Sequence, residues 1–216
     1  MFKYASKQAL LSTISNYCML FENEGVWSSA VVIAESYAAS ALHCVPQIFR
    51  VTGTKLVLHD GDGELHEVHV HGICTDSDYV VFRREEGVFK NVPEVASPQL
   101  IDKYVVVGCT FGERTLSVRV GHVSCISTGF SGFFYGDSGG LPGYSGGGAF
   151  CSRNGHLLGV ARGSNYHGND TKAYGDVLEL ISAPREYKFD IESLINFVFL
   201  VILRDIHIRK HEPYST

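Results

Sequence analysis

The chain lacks any run of basic residues. Its 18 lysines and arginines are scattered among 23 acidic residues, for a net charge of −5. That leaves no stripe of positive charge for a nucleic-acid backbone, so no nucleic-acid partner is expected. It also lacks a long apolar stretch: Leu194–Leu203 stops at Arg204-Asp205 and is too short to cross a bilayer. The segment Met1–Phe21 carries Lys3 and Lys7, but Ser12, Thr13, Ser15 and Asn16 interrupt its apolar residues, so it does not read as a secretory leader. The six cysteines (18, 44, 74, 109, 125 and 151) include no Cys-x-x-Cys pair and are scattered. In a chain with 45% apolar residues they are expected as reduced core residues rather than a disulfide framework, which implies a reducing compartment. No internal repeat is visible.

What is present is a serine between glycines, twice. Residues 143–148 read Gly-Tyr-Ser-Gly-Gly-Gly, and residues 136–140 read Gly-Asp-Ser-Gly-Gly. Glycines let the chain turn sharply and leave peptide N–H groups free beside a serine hydroxyl, which is how an acyl-transfer nucleophile is built. The flanks choose between the two. Ser138 is followed by Leu141-Pro142-Gly143, which is poor strand material. Ser145 is followed by Ala149-Phe150-Cys151, the turn Ser152-Arg153-Asn154-Gly155 and Leu157–Ala161, which reads as a β-hairpin. Ser145 is therefore the expected nucleophile and Ser138 its rival, with the N–H groups of Gly143 and Ser145 as oxyanion donors.

Upstream, small residues after an apolar strand lead into His43-Cys44, and Asp78 opens the apolar run Tyr79–Phe82. A carboxylate there can hold the tautomer of a histidine on the neighbouring strand and stabilise its imidazolium. Asp76, two residues earlier, is the rival. The expected site is His43, Asp78 and Ser145.

Many short strands separated by turns, with almost no helix, predict an all-β chain of barrels or sandwiches. Residues 1–20 are expected as an N-terminal helical segment, 21–95 as a first β-barrel carrying His43 and Asp78, and 96–183 as a second carrying Ser145. Residues 184–216 are expected as a C-terminal helix and tail. Strands are expected at Val26–Val32, Lys55–Leu58, Glu64–His71, Tyr79–Phe82, Tyr104–Thr110, Leu116–Ile126, Gly148–Cys151, Leu157–Ala161 and 176–181. Asp60-Gly-Asp-Gly63 is expected as a hairpin turn and 92–99 as the linker.

The motifs together resemble those of chymotrypsin-like serine proteases. His43-Cys44 resembles that clan's Ala-Ala-His-Cys signature, Asp78-Tyr-Val-Val-Phe its aspartate strand, and Ser145-Gly-Gly-Gly with the hairpin through Gly159 its nucleophile region. The resemblance covers about residues 21–183 and implies two six-stranded antiparallel barrels. The compact intervals, and Gly140-Leu-Pro-Gly143-Tyr-Ser145-Gly146, are most similar to the sobemovirus-like polyprotein proteases of positive-strand RNA viruses, although Gly140 stands where those have threonine. No Ile-Val-Gly-Gly start is present, and Tyr144 replaces the aspartate that a freed amine would pair with, so the resemblance implies no activation of that kind. The clan's disulfide at the cysteine after histidine lacks its partner here.

The resemblance also implies a peptide or polyprotein substrate, no cofactor and no metal. It implies host-cell cytoplasm or membrane-associated replication sites, with membrane association only through flanking segments. The substrate would pair with the strand after Gly159, which points to Arg162, Gly163 and Ser164, with Gly140 and Ala161 at the pocket and Asn165, His167 and Asn169 nearby. Two other classes stay open. One is a cellular quality-control protease of the high-temperature-requirement type, in which a peptide-binding domain would be expected beyond the barrels. The other is a non-catalytic binding module of the same fold. His66, His69 and His71 are close in sequence, but no further metal ligand is evident.

Overall fold

The computed structural model describes residues 7–110, 113–126, 133–164 and 178–182. A short helix α1 (Lys7–Ser15) precedes β1 (Cys18–Asn23), β2 (Val26–Ala34), β3 (Tyr37–Ala41), β4 (Lys55–His59), β5 (Leu65–Cys74) and β6 (Tyr79–Arg84). These close into a barrel in the order β1-β2-β3-β6-β5-β4. The second group is β7 (Lys103–Cys109), β8 (Leu116–Ile126), β9 (Phe133–Gly136), β10 (Gly148–Cys151), β11 (Leu157–Ser164) and β12 (Leu178–Ser182). They close as β10-β11-β12-β9-β8-β7, and every pairing in both barrels is antiparallel. The chain is thus the expected all-β pair of six-stranded barrels.

Period-two alternation divides three apolar clusters between two barrels. In β2, Ala30 and Val32 point into the first barrel with Phe82 and Leu58, while Val31 and Ile33 point at the second. In β7, Tyr104 and Val106 fill the second barrel, while Val105 and Val107 meet Val31, Phe150 and Val160 between the two. Strands buried on both faces read as continuous apolar runs, as Ala30–Ile33 and Tyr104–Val107 do. α1 joins the same seam through the fully buried Ile14.

Several elements differ from expectation. Among the described residues the N-terminal helix runs over Lys7–Ser15, and Cys18–Leu20 open β1 rather than ending a helical segment. Val32 N–H donates to Tyr17 at 2.8 Å, so chain-to-sheet bonding begins there. Strands β3 and β9 were not expected as such. β3 reads Tyr-Ala-Ala-Ser-Ala, with little β-forming character, yet all five residues are buried between β2 and β6. The six cysteines are free; Cys18, Cys74, Cys109 and Cys151 are buried, but Cys125 is exposed and is no core residue. The C-terminal helix and residues 189–208 lie outside the described residues.

Both predicted turns are present. Asp60 Oδ1 accepts the N–H groups of Asp62 and Glu64, closing β4 onto β5. Gly155, at φ +78°, donates to the Cys151 carbonyl at 2.8 Å and closes β10 onto β11. A cross-barrel stack is also formed: Arg114, from the β7–β8 connection, lies 5.0 Å over the Trp27 ring and donates to His59 Nδ1 at 3.2 Å.

Phe150 is fully buried in the seam, 5.9 Å from the Tyr17 ring. Phe150→Ala is expected to destabilise the fold by about 3–5 kcal/mol, read as a lower denaturant midpoint.

Candidate active site

The register of β3 against β6 brings His43 to Asp78. Ala41 is paired with Tyr79, so the residues after Ala41 lie opposite those before Tyr79. A single 3₁₀ turn at Leu42–Cys44 follows. Asp78 closes the β5–β6 turn at φ +52°, a left-handed conformation that aspartate tolerates. Its carboxylate grips the histidine twice: Oδ1 accepts the His43 peptide N–H at 2.9 Å, and Oδ2 lies 2.5 Å from Nδ1. Leu42 N–H also donates to the Asp78 carbonyl at 3.0 Å. Asp76 is exposed, and no bond from it to His43 is formed.

The hydrogen bond to Asp78 and then the Cys44 thiol raise the His43 imidazole to about 10, against the opposing effect of partial burial. Partial burial pushes the Asp78 carboxyl up, but the His43 ring, its peptide N–H and the Arg162 guanidinium outweigh that and hold it below its ordinary value.

Ser145 belongs to a turn inserted between the barrels. Gly146 sits at φ +87°, and a Cβ there would lie 2.1 Å from both the Ser29 carbonyl and Ser40 Oγ. A Cβ on Gly147 would lie 2.2 Å from the Val107 carbonyl. Glycine is therefore required at 146 and 147 by close approach of backbone. Two buried serines, Ser29 and Ser40, line this contact. Ser40 Oγ donates to the Ser29 carbonyl at 2.6 Å, and Ser29 Oγ donates to the Gly143 carbonyl at 2.7 Å while accepting the Cys109 N–H at 2.8 Å. Cys44 Sγ reaches the Ser145 carbonyl at 3.6 Å, which sets the histidine turn beside the serine turn.

Across residues 143–147, the N–H groups of Tyr144, Gly146 and Gly147 donate to Leu141, Ala161 and Tyr144. Those of Gly143 and Ser145 have no acceptor among the described residues. Ser145 Oγ likewise makes no hydrogen bond there, so the structure joins His43 to Asp78 but does not bond Ser145 to His43. The serine hydroxyl faces Gly163, where a Cβ would stand 3.9 Å away. Ser138 is bound elsewhere: its Oγ lies 2.6 Å from the hydroxyl of the fully buried Tyr104, and its N–H donates to the same oxygen.

The expected substrate strand is divided in its duties. Ala161 is fully buried, and both its peptide groups bond the nucleophile turn, to Gly146 and Gly147, at 2.6 and 2.8 Å. Its peptide groups are thus engaged by the nucleophile turn rather than open for pairing with an extended chain. Arg162 turns to Asp78, with Nε 3.7 Å from Oδ2, and stacks 5.1 Å over Phe133. Gly140 is half-buried after the Ser138 turn, and Ser164 ends β11 opposite Leu178. Asn165, His167 and Asn169 lie outside the described residues. Ser29, Ser40, Tyr104 and Cys109 were not anticipated; a serine inside the otherwise apolar runs of β2 and β3 was the available signal.

The three histidines are split: His69 and His71 share a face, their ring centroids 6.1 Å apart, and His66 lies on the other. His66 points into the first barrel and meets Asp60 at 3.2 Å, whereas His69 faces outward to Glu85 at 2.8 Å and His71 packs on Tyr37. Among the described residues no group of three or more His, Cys, Asp or Glu could hold a metal ion, and no helix is long and apolar enough to cross a membrane.

The fold is that of the trypsin-like two-barrel proteins. Among solved structures it is similar to the serine endoprotease from Yersinia pestis, with a TM-score of 0.66 and 16% identity over 94% of this chain and 69% of that one. No family model matches the sequence, and no curated protein matches it. At that identity the likeness carries the architecture, and the chemistry must be argued from the site.

The His43–Asp78 pair has a signed pH dependence. A raised imidazole stabilises the fold fully below 6.5 and loses that contribution as pH climbs toward about 10. A lowered carboxyl contributes above 3.8 and loses it in acid. The stability difference between the wild-type chain and His43→Ala, measured by denaturation across pH, is expected to be largest between those values. Gly146→Ala is expected to destabilise by at least about 2 kcal/mol, because backbone rather than a pliable side chain must move.

Proposed function

We propose that the chain is a serine endopeptidase acting through an acyl-enzyme. The observation that carries this reading is the pairing of His43 Nδ1 with Asp78 beside a glycine-bounded serine turn that keeps two open N–H donors. With Nδ1 held by Asp78, Nε2 is the nitrogen left to act as base. It takes the Ser145 proton as Oγ attacks the substrate's peptide carbonyl. The resulting oxyanion is met by the N–H groups of Gly143 and Ser145, each such donor being worth about 3–4 kcal/mol of barrier. The imidazolium then protonates the departing amine, and water, deprotonated by His43, hydrolyses the ester. Contact between Ser145 and His43 is made in the substrate complex, where such hydrogen bonds commonly tighten.

The substrate class we favour is a viral polyprotein, cleaved at few and fixed sequences. The compact motif spacing and the Gly140–Gly146 register support it, and a reducing compartment suits six free thiols. A second reading, a cellular quality-control protease that degrades unfolded chains, draws on the likeness to the Yersinia pestis serine endoprotease.

A fluorophosphonate probe is expected to label Ser145 and to keep labelling it in Ser138→Ala. Ser145→Ala should lower kcat/KM by about six orders of magnitude without loss of fold. Labelling that follows Ser138 instead would overturn the assignment. Cleavage of unfolded casein at many positions, against one or two positions in peptide libraries, separates the second reading from the first.

A further inference from the structure

Arg162 is the charged link between the two halves of the site. It projects from β11 in the second barrel, next to the glycine that faces Ser145 Oγ, and its Nε lies 3.7 Å from the Asp78 oxygen that also holds His43. Its guanidinium rests on the buried Phe133 ring at 5.1 Å, which limits the directions it can take. The Asp78 carboxylate is only 19% exposed, so this charge acts where water screens it poorly.

We infer that Arg162 is a positioning residue for the proposed proteolysis: it holds the Asp78 carboxylate against His43 from the opposite barrel and offsets part of its charge. The inference rests on the endopeptidase reading. Oδ1 is occupied by the His43 peptide N–H, and Oδ2 is shared between the His43 ring and Arg162. A second cation on Oδ2 weakens the pull of the carboxylate on the imidazolium proton. It therefore makes neutral His43, the form that can accept the serine proton, available at lower pH. A neutral hydrogen-bonding side chain could orient the carboxylate but could not do this. Among the described residues, the other ionisable groups at the pair are Cys44, beside His43 in the same turn, and Arg50, whose Nη2 donates to the His43 carbonyl at 3.2 Å. Cys109 interacts with Cys44 from the second barrel. Of the two arginines, only Arg162 faces the carboxylate.

The test compares kcat/KM across pH for the wild-type chain, Arg162→Gln and Arg162→Lys. The glutamine variant is expected to move the acid limb upward by about half a pH unit, with an approximately threefold loss at neutral pH that recovers in alkali. The lysine variant should restore most of the wild-type limb. An unmoved limb, or a change confined to KM, would overturn the inference and make Arg162 a packing or substrate residue. The same comparison is made by NMR titration of the His43 ring in the Ser145→Ala background. There the glutamine substitution should raise the ring's midpoint and the lysine one should not. That arm reads the ion pair without activity, so failure of the endopeptidase reading and failure of this one give different results.

Discussion

The contact on which this molecule turns is backbone against backbone. Gly146 and Gly147 lie against the Ser29 carbonyl of one barrel and the Val107 carbonyl of the other, at distances no side chain would permit. The serine turn is thus clamped by both barrels at once, through Ser29 and Ser40 on one side and Ala161 on the other. Such a contact tolerates no slack: a methyl group there meets main chain, which can yield only by moving a strand. The apolar seam of Val31, Val107, Phe150 and Val160 keeps the two barrels at the separation the clamp needs.

The candidate site is assembled from two independently determined halves. Pairing of Ala41 with Tyr79 fixes the histidine and the aspartate within one barrel, whatever the other does. The serine is placed by the second barrel, through the bonds between its turn and Ala161. Polar links then cross the gap: the Cys44 thiol to the Ser145 carbonyl, Ser29 Oγ to the Gly143 carbonyl and Arg162 to Asp78. A hydroxyl and an imidazole brought together this way depend on how the barrels dock, which explains why His43 and Asp78 are bonded while Ser145 Oγ stands free of both.

Much of this was legible in the residues, for reasons that can be named. Asn154-Gly155 and Asp60-Gly-Asp-Gly63 demand turns, and the apolar runs beside them demand strands, so both hairpins could be read locally. Asp78 opens a strand whose burial is evident from Val80–Phe82, and small residues lead into His43. β3 could not be read, because an alanine-rich pentapeptide becomes a strand only when two neighbours cover it. The partners of the clamp left only a partial signal: Ser29 and Ser40 interrupt apolar strands, but nothing local ties them to a glycine backbone from residue 146. Ala161 and Arg162 were expected on this strand, but their contacts with the serine turn and with Asp78 were not visible in the residues. Alternation along β11 assigns faces, but only packing tells which face meets the carboxylate.

The stack of Arg114 on Trp27 bears on how the protein can be watched. Trp27 is the chain's single tryptophan, it packs edge-on to His59 in its own barrel, and the guanidinium over it comes from the other. Its indole emission is therefore a built-in optical gauge of the joint, responsive to separation of the barrels even while each keeps its own sheet.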